Sequence, residues 1–119
     1  ATIDAMESEG IVDNAKRIGT DVLGPGLREL AAKHPIIGDV RGLGVFWALD
    51  LVLDEETRAP VPASVIGALK KSLLAKGLLP FFADNRLHVV PPCIVTDEQV
   101  ARALAIYDEA LTEAEATLA

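Results

Sequence analysis

The polar segment Asn85-Arg86-Leu87-His88 holds the residues of this sequence that are best placed to do chemistry. Arg86 and His88 are two positions apart, so on a β-strand their side chains lie on one face. Two donors on one face, one of them a planar guanidinium, suit the binding of a carboxylate. The structural alternative is a strand at a sheet edge, where Arg86 extends into solvent and His88 bonds to a backbone carbonyl. The residues by themselves favour this alternative.

The glycines of Gly42-Leu43-Gly44 match a fragment of a phosphate-binding loop. The dinucleotide-binding pattern needs a third glycine three residues later and a following helix. Position 47 is Trp, and a strand is predicted there instead. The glycines are therefore predicted to allow a tight bend where two backbones pass closely. The neighbouring Arg41 is a candidate for binding an anion, but pairing with Asp39 or with a helix carbonyl is favoured.

Other acidic, basic and thiol groups are also predicted to be structural. Asp54-Glu55-Glu56 lies in a proline-flanked loop without a nearby histidine, which favours solvated carboxylates over a metal site. A Schiff-base lysine needs a desolvated pocket or a cationic neighbour. The lysines lie on predicted helix faces or helix ends instead, namely Lys16, Lys33, Lys70, Lys71 and Lys76. Cys93 follows Pro91-Pro92 in an apolar run, which predicts a buried, inert thiol. No catalytic residue and no metal ligand is assigned.

The composition fits a single domain over residues 1–119. The 11 basic and 18 acidic residues give a net charge of -7, which argues against nucleic acid and anionic membranes as partners. One cysteine excludes an internal disulfide and fits a reducing, cytoplasmic compartment. No apolar run approaches the ~20 residues of a membrane helix, and no signal peptide is recognised. The chain enters helix-like sequence at once, which predicts that it was cut from a longer protein.

Apolar spacing predicts the elements that must position these residues. Residues 1–9 resemble the end of a helix, and residues 11–33 form a helix that Gly24-Pro25-Gly26 kinks, with two separate helices as the alternative. Four strands, at 38–42, 44–53, 78–82 and 87–90, flank a helix at 63–76, and the second strand is predicted to be central. Thr96 and Gln99 match a capping box that starts the last helix. The fold class is α+β: a small antiparallel or mixed sheet of three to four strands covered by helices, in the order α-α-β-β-α-β-β-α.

Three segments in this order resemble the C-terminal small domain of class III aminotransferases. They are Met6-Glu7-Ser8-Glu9, the run from His34-Pro35 to Gly42-Leu43-Gly44, and Pro91-Pro92 followed by the Thr96-capped helix. The resemblance covers essentially the whole chain. It implies a pyridoxal 5'-phosphate (PLP) enzyme of fold type I that moves an amino group from an amine or amino acid to a 2-oxo acid.

The resemblance implies that the Schiff-base lysine and most of the cofactor site belong to a large domain that would precede Ala1. This segment would close over the substrate, would be inactive alone and would bind no cofactor by itself. The full-length enzyme is expected to be a cytoplasmic homodimer. A free-standing small-molecule-binding or regulatory domain, and a PLP enzyme of another reaction type, are the alternatives.

The family's carboxylate-binding arginines do not appear at their usual positions. Relatives similar to ornithine aminotransferases carry an arginine three residues before the Pro-Pro pair, which is His88 here. Relatives similar to amine–pyruvate transaminases carry a mobile arginine about six residues earlier, which falls on Phe82 here. Arg86 lies between the two positions. The resemblance therefore suggests Arg86, with His88 on the same face, as the substrate-binding residues.

Overall fold

The computed structural model describes residues 10–54 and 56–118. Its helices and strands follow in chain order as α1 (Ile11–Ile18), a π-helical turn (Gly19–Leu23), α2 (Gly24–Lys33), β1 (Ile37–Leu43), β2 (Phe46–Leu51), α3 (Ala63–Ala75), β3 (Phe81–Ala83), β4 (Arg86–Val89) and α4 (Asp97–Leu118). The α+β fold and the predicted order of elements are confirmed over this range. The helix end predicted at residues 1–9 lies outside the described residues.

The helical run over residues 11–33 is continuous through the π-helical turn. Pro25 has no backbone N–H, and its ring would clash with the carbonyl four residues back, at Asp21. The N–H of Gly24 bonds to the carbonyl of Gly19, five residues back, so the backbone is wider just before the proline. The sequence favours one helix kinked at Gly24-Pro25-Gly26 over two helices, and the continuous run confirms one helix. Its irregularity is a π-helical turn just before the proline.

The four strands form one antiparallel sheet in the order β1-β2-β4-β3. A two-residue loop joins β1 to β2, and its Gly44 has a φ of 59°, which favours glycine. The predicted central position of β2 is confirmed. The third strand starts after Pro80 instead of at residue 78, because a proline cannot donate to the ladder. Since β4 lies between β2 and β3, the interpretation of residues 86–88 as an edge strand is wrong.

Alternation along the strands divides the sheet into two faces. One face enters a single core that helices α2, α3 and α4 complete, and its strand residues are Trp47, Leu49, Leu51, Leu87 and Val89. The other face carries Arg41, Phe46, Ala48, Asp50, Phe81, Arg86 and His88, and we call it the open face. The helices therefore stabilise the sheet from one side and leave the open face for other contacts.

Local capping fixes the ends of the two later helices. The N–H of Gln99 bonds to Thr96 Oγ1 over 3.2 Å, and the N–H of Thr96 bonds to Gln99 Oε1 over 3.0 Å, which confirms the predicted capping box. Gly77 follows α3 with a φ of 89°, the left-handed conformation that favours glycine after a helix. None of the described helices combines the length and the apolar character needed to cross a membrane.

Candidate functional site

Arg86 and His88 lie side by side on the open face, as their spacing predicted. In the antiparallel register Arg86 is opposite Asp50 of β2, and His88 is opposite Ala48 of β2 and Phe81 of β3. The side chain between them, Leu87, is fully buried in the core. The strand is therefore anchored from one side while the two polar residues lie on the other.

Arg41 is held by two carboxylates of the open face. Its guanidinium donates to Asp50 through both terminal nitrogens, over 2.9 and 3.1 Å, and to Asp39 over 3.2 Å. The bidentate pair to Asp50 matches the fork geometry of arginine. The predicted structural role of Arg41 is confirmed, with Asp50 as an additional partner that follows from the β1–β2 register.

Arg86 is exposed and forms no ion pair within the described part of the chain. Asp50, its neighbour across β2, already accepts two hydrogen bonds from Arg41. Both oxygens of Asp50 are thus occupied by Arg41. Arg86 consequently offers a guanidinium that described carboxylates do not compete for, which is the property that an anion-binding residue requires.

His88 sits between two phenyl rings. The ring of Phe81 lies 5.3 Å from the imidazole and that of Phe46 lies 6.2 Å away, centroid to centroid, both in edge-on geometry. His88 Nε2 is buried and has no hydrogen-bond partner among the described residues. The predicted bond from His88 to a backbone carbonyl is therefore absent at this nitrogen. A buried polar atom without a partner costs free energy unless another group satisfies it.

An apolar cavity of about 570 Å³ opens beside His88, at the end of the sheet where β4 ends and β2 and β3 begin. Side chains of the strands, the Pro91-Pro92 segment and α4 line it, including Phe46, Val90 and Ala103. The described residues that line it include no Asp, Glu, Lys or Arg. Burial raises the pKa of Tyr107, another lining residue, to about 12, so its phenol stays neutral near pH 7. The cavity is therefore suited to uncharged, apolar groups.

A second polar cluster was not predicted from the sequence. His34 is buried between α2 and α4, with Nδ1 2.5 Å from a Glu115 oxygen and Nε2 2.6 Å from an Asp108 oxygen. A neutral imidazole has one N–H, so both bonds need either an imidazolium or a protonated carboxyl. Hydrogen bonds from Lys33, and then from His34, lower the pKa of Asp108 below its ordinary value. Since the cluster ties the first helical run to the last helix, we assign it to the fold.

The prediction of a buried thiol at Cys93 is wrong, because its side chain is exposed. After the proline pair the chain turns, with the N–H of Val95 bonded to the carbonyl of Pro92 over 3.0 Å. The Asn14 side chain donates to the carbonyls of Cys93 and Val95, over 2.7 and 3.1 Å. Backbone bonds therefore fix this segment, and the thiol is left at the surface.

The loop acid and the lysines have structural contacts. Asp54 Oδ1 accepts from the backbone N–H groups of Glu56 and Thr57, over 2.7 and 3.2 Å, and so closes a turn. Lys33 of α2 forms an ion pair with Asp108 over 2.8 Å. Lys76, directly after α3, forms one with Glu113 over 2.9 Å. A Schiff-base lysine needs a desolvated pocket. Lys33 and Lys76 are thus engaged with carboxylates instead of lying free in such a pocket.

Comparison with known proteins decides the family. The family described as "Aminotransferase class-III" matches residues 1–111. This chain belongs to the class III aminotransferases. It is 37% identical over 122 residues to taurine–pyruvate aminotransferase of Bilophila wadsworthia, a match that covers 97% of this chain and 26% of the relative. It is 33% identical to ethanolamine-phosphate phospho-lyase homolog 1 of Caenorhabditis elegans, covering 94% of this chain and 24% of that protein.

Solved structures of aminotransferases have the same fold over this length. The taurine:2-oxoglutarate aminotransferase of Bifidobacterium kashiwanohense, solved with PLP and glutamate, superposes with a TM-score of 0.90 at 27% identity. The match covers 98% of this chain and 27% of that one. The chain thus spans about a quarter of the length of these relatives.

Phe82 and His88, which stand at the two positions where the family pattern has an arginine, lie on opposite faces of the sheet. Phe82 pairs with Leu87 on the helix-covered side of the sheet and packs against the core. An arginine there would have to leave the core to reach a ligand. His88 points to the open face, where it meets Phe81 and the apolar cavity. In this class III chain an imidazole therefore stands at the position where the resemblance places a guanidinium.

Proposed function

We propose that this chain is the C-terminal small domain of a PLP-dependent class III aminotransferase. The complete enzyme would move an amino group from an amine or amino acid to a 2-oxo acid, which in return gives up its oxo oxygen. The family match over residues 1–111 carries this proposal, and the coverage of about a quarter of each relative supports the assignment to one domain of a longer polypeptide.

The large domain of the same polypeptide would supply PLP and its Schiff-base lysine. When bound, PLP supplies the electron sink for the amino transfer. The lysines of this segment are engaged in ion pairs or lie at exposed helix positions, so the segment alone is proposed to be inactive and cofactor-free. We further propose a cytoplasmic homodimer that binds neither nucleic acid nor membranes, in keeping with the net charge of -7.

Arg86 is proposed to bind the substrate carboxylate, with His88 beside it. The single observation that carries this assignment is the network on the open face, in which Arg41 occupies both oxygens of Asp50 and the Arg86 guanidinium has no described carboxylate partner. The role of these residues is to hold and orient the substrate. A hydrogen-bonded charge pair of this kind contributes about 1.5–3 kcal/mol, equivalent to roughly 10- to 100-fold in affinity.

The test uses the complete polypeptide that contains this chain, loaded with PLP. Arg86→Ala should raise KM for the 2-oxo acid about 10- to 100-fold with a smaller effect on kcat, because an interaction equal in ground and transition states is lost. Arg86→Lys should recover part of the affinity. Arg102→Ala, at an exposed position of α4, is the matched control. An unchanged KM in Arg86→Ala would remove Arg86 from substrate binding.

A PLP enzyme of another reaction type is the second candidate, because the chain is also 33% identical to a phospho-lyase homolog. Product analysis separates the two reactions. A transaminase converts one 2-oxo acid to its amino acid for every donor consumed. Consumption of the donor without formation of an aminated acceptor would contradict the transaminase assignment and favour an elimination reaction. A start codon directly before Ala1 would instead favour a free-standing binding or regulatory domain, whereas a long upstream frame with a strand-end lysine would support the enzyme.

A further inference from the structure

The unsatisfied nitrogen of His88 and the cavity beside it point to one ligand. The cavity volume, about 570 Å³, falls within the ~300–1,000 Å³ of typical small-molecule sites. Such sites are mostly apolar with a few polar groups that fix orientation. Here the walls are mostly aliphatic and aromatic, with the Gln99 amide and the Tyr107 hydroxyl as further polar groups, and His88 Nε2 is a buried polar atom without a described partner.

Charge restricts what the cavity can hold. A carboxylate or ammonium group buried among these walls would lose its hydration without gaining a described counter-charge, since the lining contains no Asp, Glu, Lys or Arg. The nearest guanidinium on the strand, Arg86, is two residues from His88, which on a strand is about 6.6–6.8 Å. A ligand that spans this distance can place its anionic end at Arg86 and an uncharged body beside His88.

We propose that the cavity binds the uncharged, apolar part of the amino-group donor or the 2-oxo acid, while His88 Nε2 hydrogen-bonds to a polar atom on it. The preferred substrates are then monocarboxylates or amines with a hydrocarbon or aryl group, and dicarboxylates are disfavoured. This inference rests on the proposed function and names its substrate class. His88 acts as a specificity-determining residue, and the phenyl rings of Phe46 and Phe81 hold its imidazole in place.

Substitution at Ala103 tests the cavity without touching His88. Ala103 lies on α4 and lines the cavity, so leucine there fills part of the space. Ala101→Leu makes the same change at an exposed position of the same helix that does not line the cavity, and it is the matched control. Comparison of the two variants separates loss of cavity volume from a general effect of leucine on α4.

The binding measurement uses the chain labelled with ¹⁵N-histidine, because it has two histidines and each is resolved by its own imidazole signals. Benzyl alcohol, an uncharged aryl probe with one hydroxyl, should shift His88 Nε2 and leave His34 unchanged. Glutarate, a dianion of similar size, should produce no shift at His88 Nε2. Ala103→Leu should abolish the response to benzyl alcohol, and Ala101→Leu should keep it. No shift with benzyl alcohol, or an equal shift with glutarate, would overturn the proposal.

The activity measurement uses the complete PLP-loaded polypeptide with pyruvate, 2-oxo-4-methylpentanoate and 2-oxoglutarate as acceptors. Ala103→Leu should lower kcat/KM for the branched acid at least about tenfold relative to pyruvate. An equal loss with every acceptor would leave this ratio unchanged and would mean that Ala103→Leu lowers activity without discrimination by the cavity. No loss with any acceptor would mean that the substrate does not reach the cavity. Either result overturns the inference but leaves the transaminase assignment intact. Absence of amino transfer with every acceptor would refute the proposed function. The binding measurement would then still test whether the cavity binds an uncharged ligand.

Discussion

The contact between the first helical run and the β1–β2 hairpin is closer than any side chain allows. A Cβ atom built on Gly19 would lie 2.1 Å from the carbonyl oxygen of Gly44 and 2.6 Å from its carbonyl carbon. Both are backbone atoms, so the clash cannot be relieved by a rotamer change. To restore an ordinary contact the helix or the hairpin would have to move by more than about 1 Å, against a close-packed core.

Gly19→Ala is therefore expected to destabilise the fold. Overpacking of this kind costs about 1–3 kcal/mol or more. Replacing glycine by alanine in a helix recovers about 0.5–1 kcal/mol. Because the Cβ atom would meet backbone atoms, the cost lies in the upper part of this range, at about 2–3 kcal/mol, and the expected net change is a decrease of about 1–2.5 kcal/mol in the free energy of unfolding. The sign of this result distinguishes the steric argument from helix propensity, which alone predicts stabilisation.

Gly67→Ala is the matched control. Gly67 lies in α3, and a Cβ atom built there meets no atom within 4 Å. With no clash, propensity alone acts, so the free energy of unfolding should rise by about 0.5–1 kcal/mol. The two alanine variants should thus change stability in opposite directions. At about 4 °C per kcal/mol, their melting temperatures should differ by roughly 6–14 °C.

Urea unfolding followed by tryptophan fluorescence measures both variants. Trp47 is the only tryptophan and is 3% exposed, and its indole N–H donates to the same Gly44 carbonyl over 2.7 Å. Its emission should report unfolding and any shift of the hairpin. The dependence on urea should keep its slope in a variant that changes stability alone. Wild-type or higher stability in Gly19→Ala, together with the expected gain in Gly67→Ala, would refute the packing argument.

Three further predictions concern the helices and the sheet. Thr96→Ala removes the capping hydroxyl of α4 and should lower the free energy of unfolding by about 1 kcal/mol in urea titrations, with Thr112→Ala on the exposed part of the same helix as the comparison. Leu87→Ala empties a fully buried position and should cost about 2–5 kcal/mol, against less than about 0.5 kcal/mol for Val90→Ala at an exposed one. Asp108 has a lowered pKa in the fold, so its stabilising effect is complete above the ordinary value of 3.8 and is lost as the pH falls through the lower, folded value. Urea titrations from pH 6 to pH 3 should show this loss of stability. Asp108→Asn should reduce the loss.

The features that could be predicted from the sequence are those set by nearby residues. The capping box depends on Thr96 and Gln99, three positions apart, and the structure contains both of its hydrogen bonds. The disturbed helix follows from Pro25, whose effect is confined to the preceding turn. The shared face of Arg86 and His88 follows from the two-residue period of a strand. Each of these needs no knowledge of how distant elements pair.

The features that were missed depend on pairing between distant elements. His34 meets Asp108 and Glu115 only because α2 packs near α4, more than 70 residues later in the chain. The interior position of β4 follows from the strand order, which local patterns do not define. The apolar run around Cys93 indicated burial, but backbone bonds to Asn14 and within the turn hold that segment at the surface. No signal within these segments reveals such contacts.

The open face shows why one arginine is a candidate ligand and its neighbour is not. Arg41 and Arg86 lie on the same face, on strands that flank β2. Asp50 of β2 is opposite Arg86 on one side and opposite Asp39 on the other, two residues along β1 from Arg41. Asp50 gives both of its oxygens to Arg41, and Asp39 adds a further bond, so that guanidinium is committed to the sheet. If Asp50 were free it would attract Arg86 and weaken any anion held there. The structural pair at Arg41 therefore makes the guanidinium of Arg86 available. Asp50→Asn removes the competing carboxylate and should leave the anion affinity at Arg86 unchanged or higher. A lower affinity would contradict this reasoning.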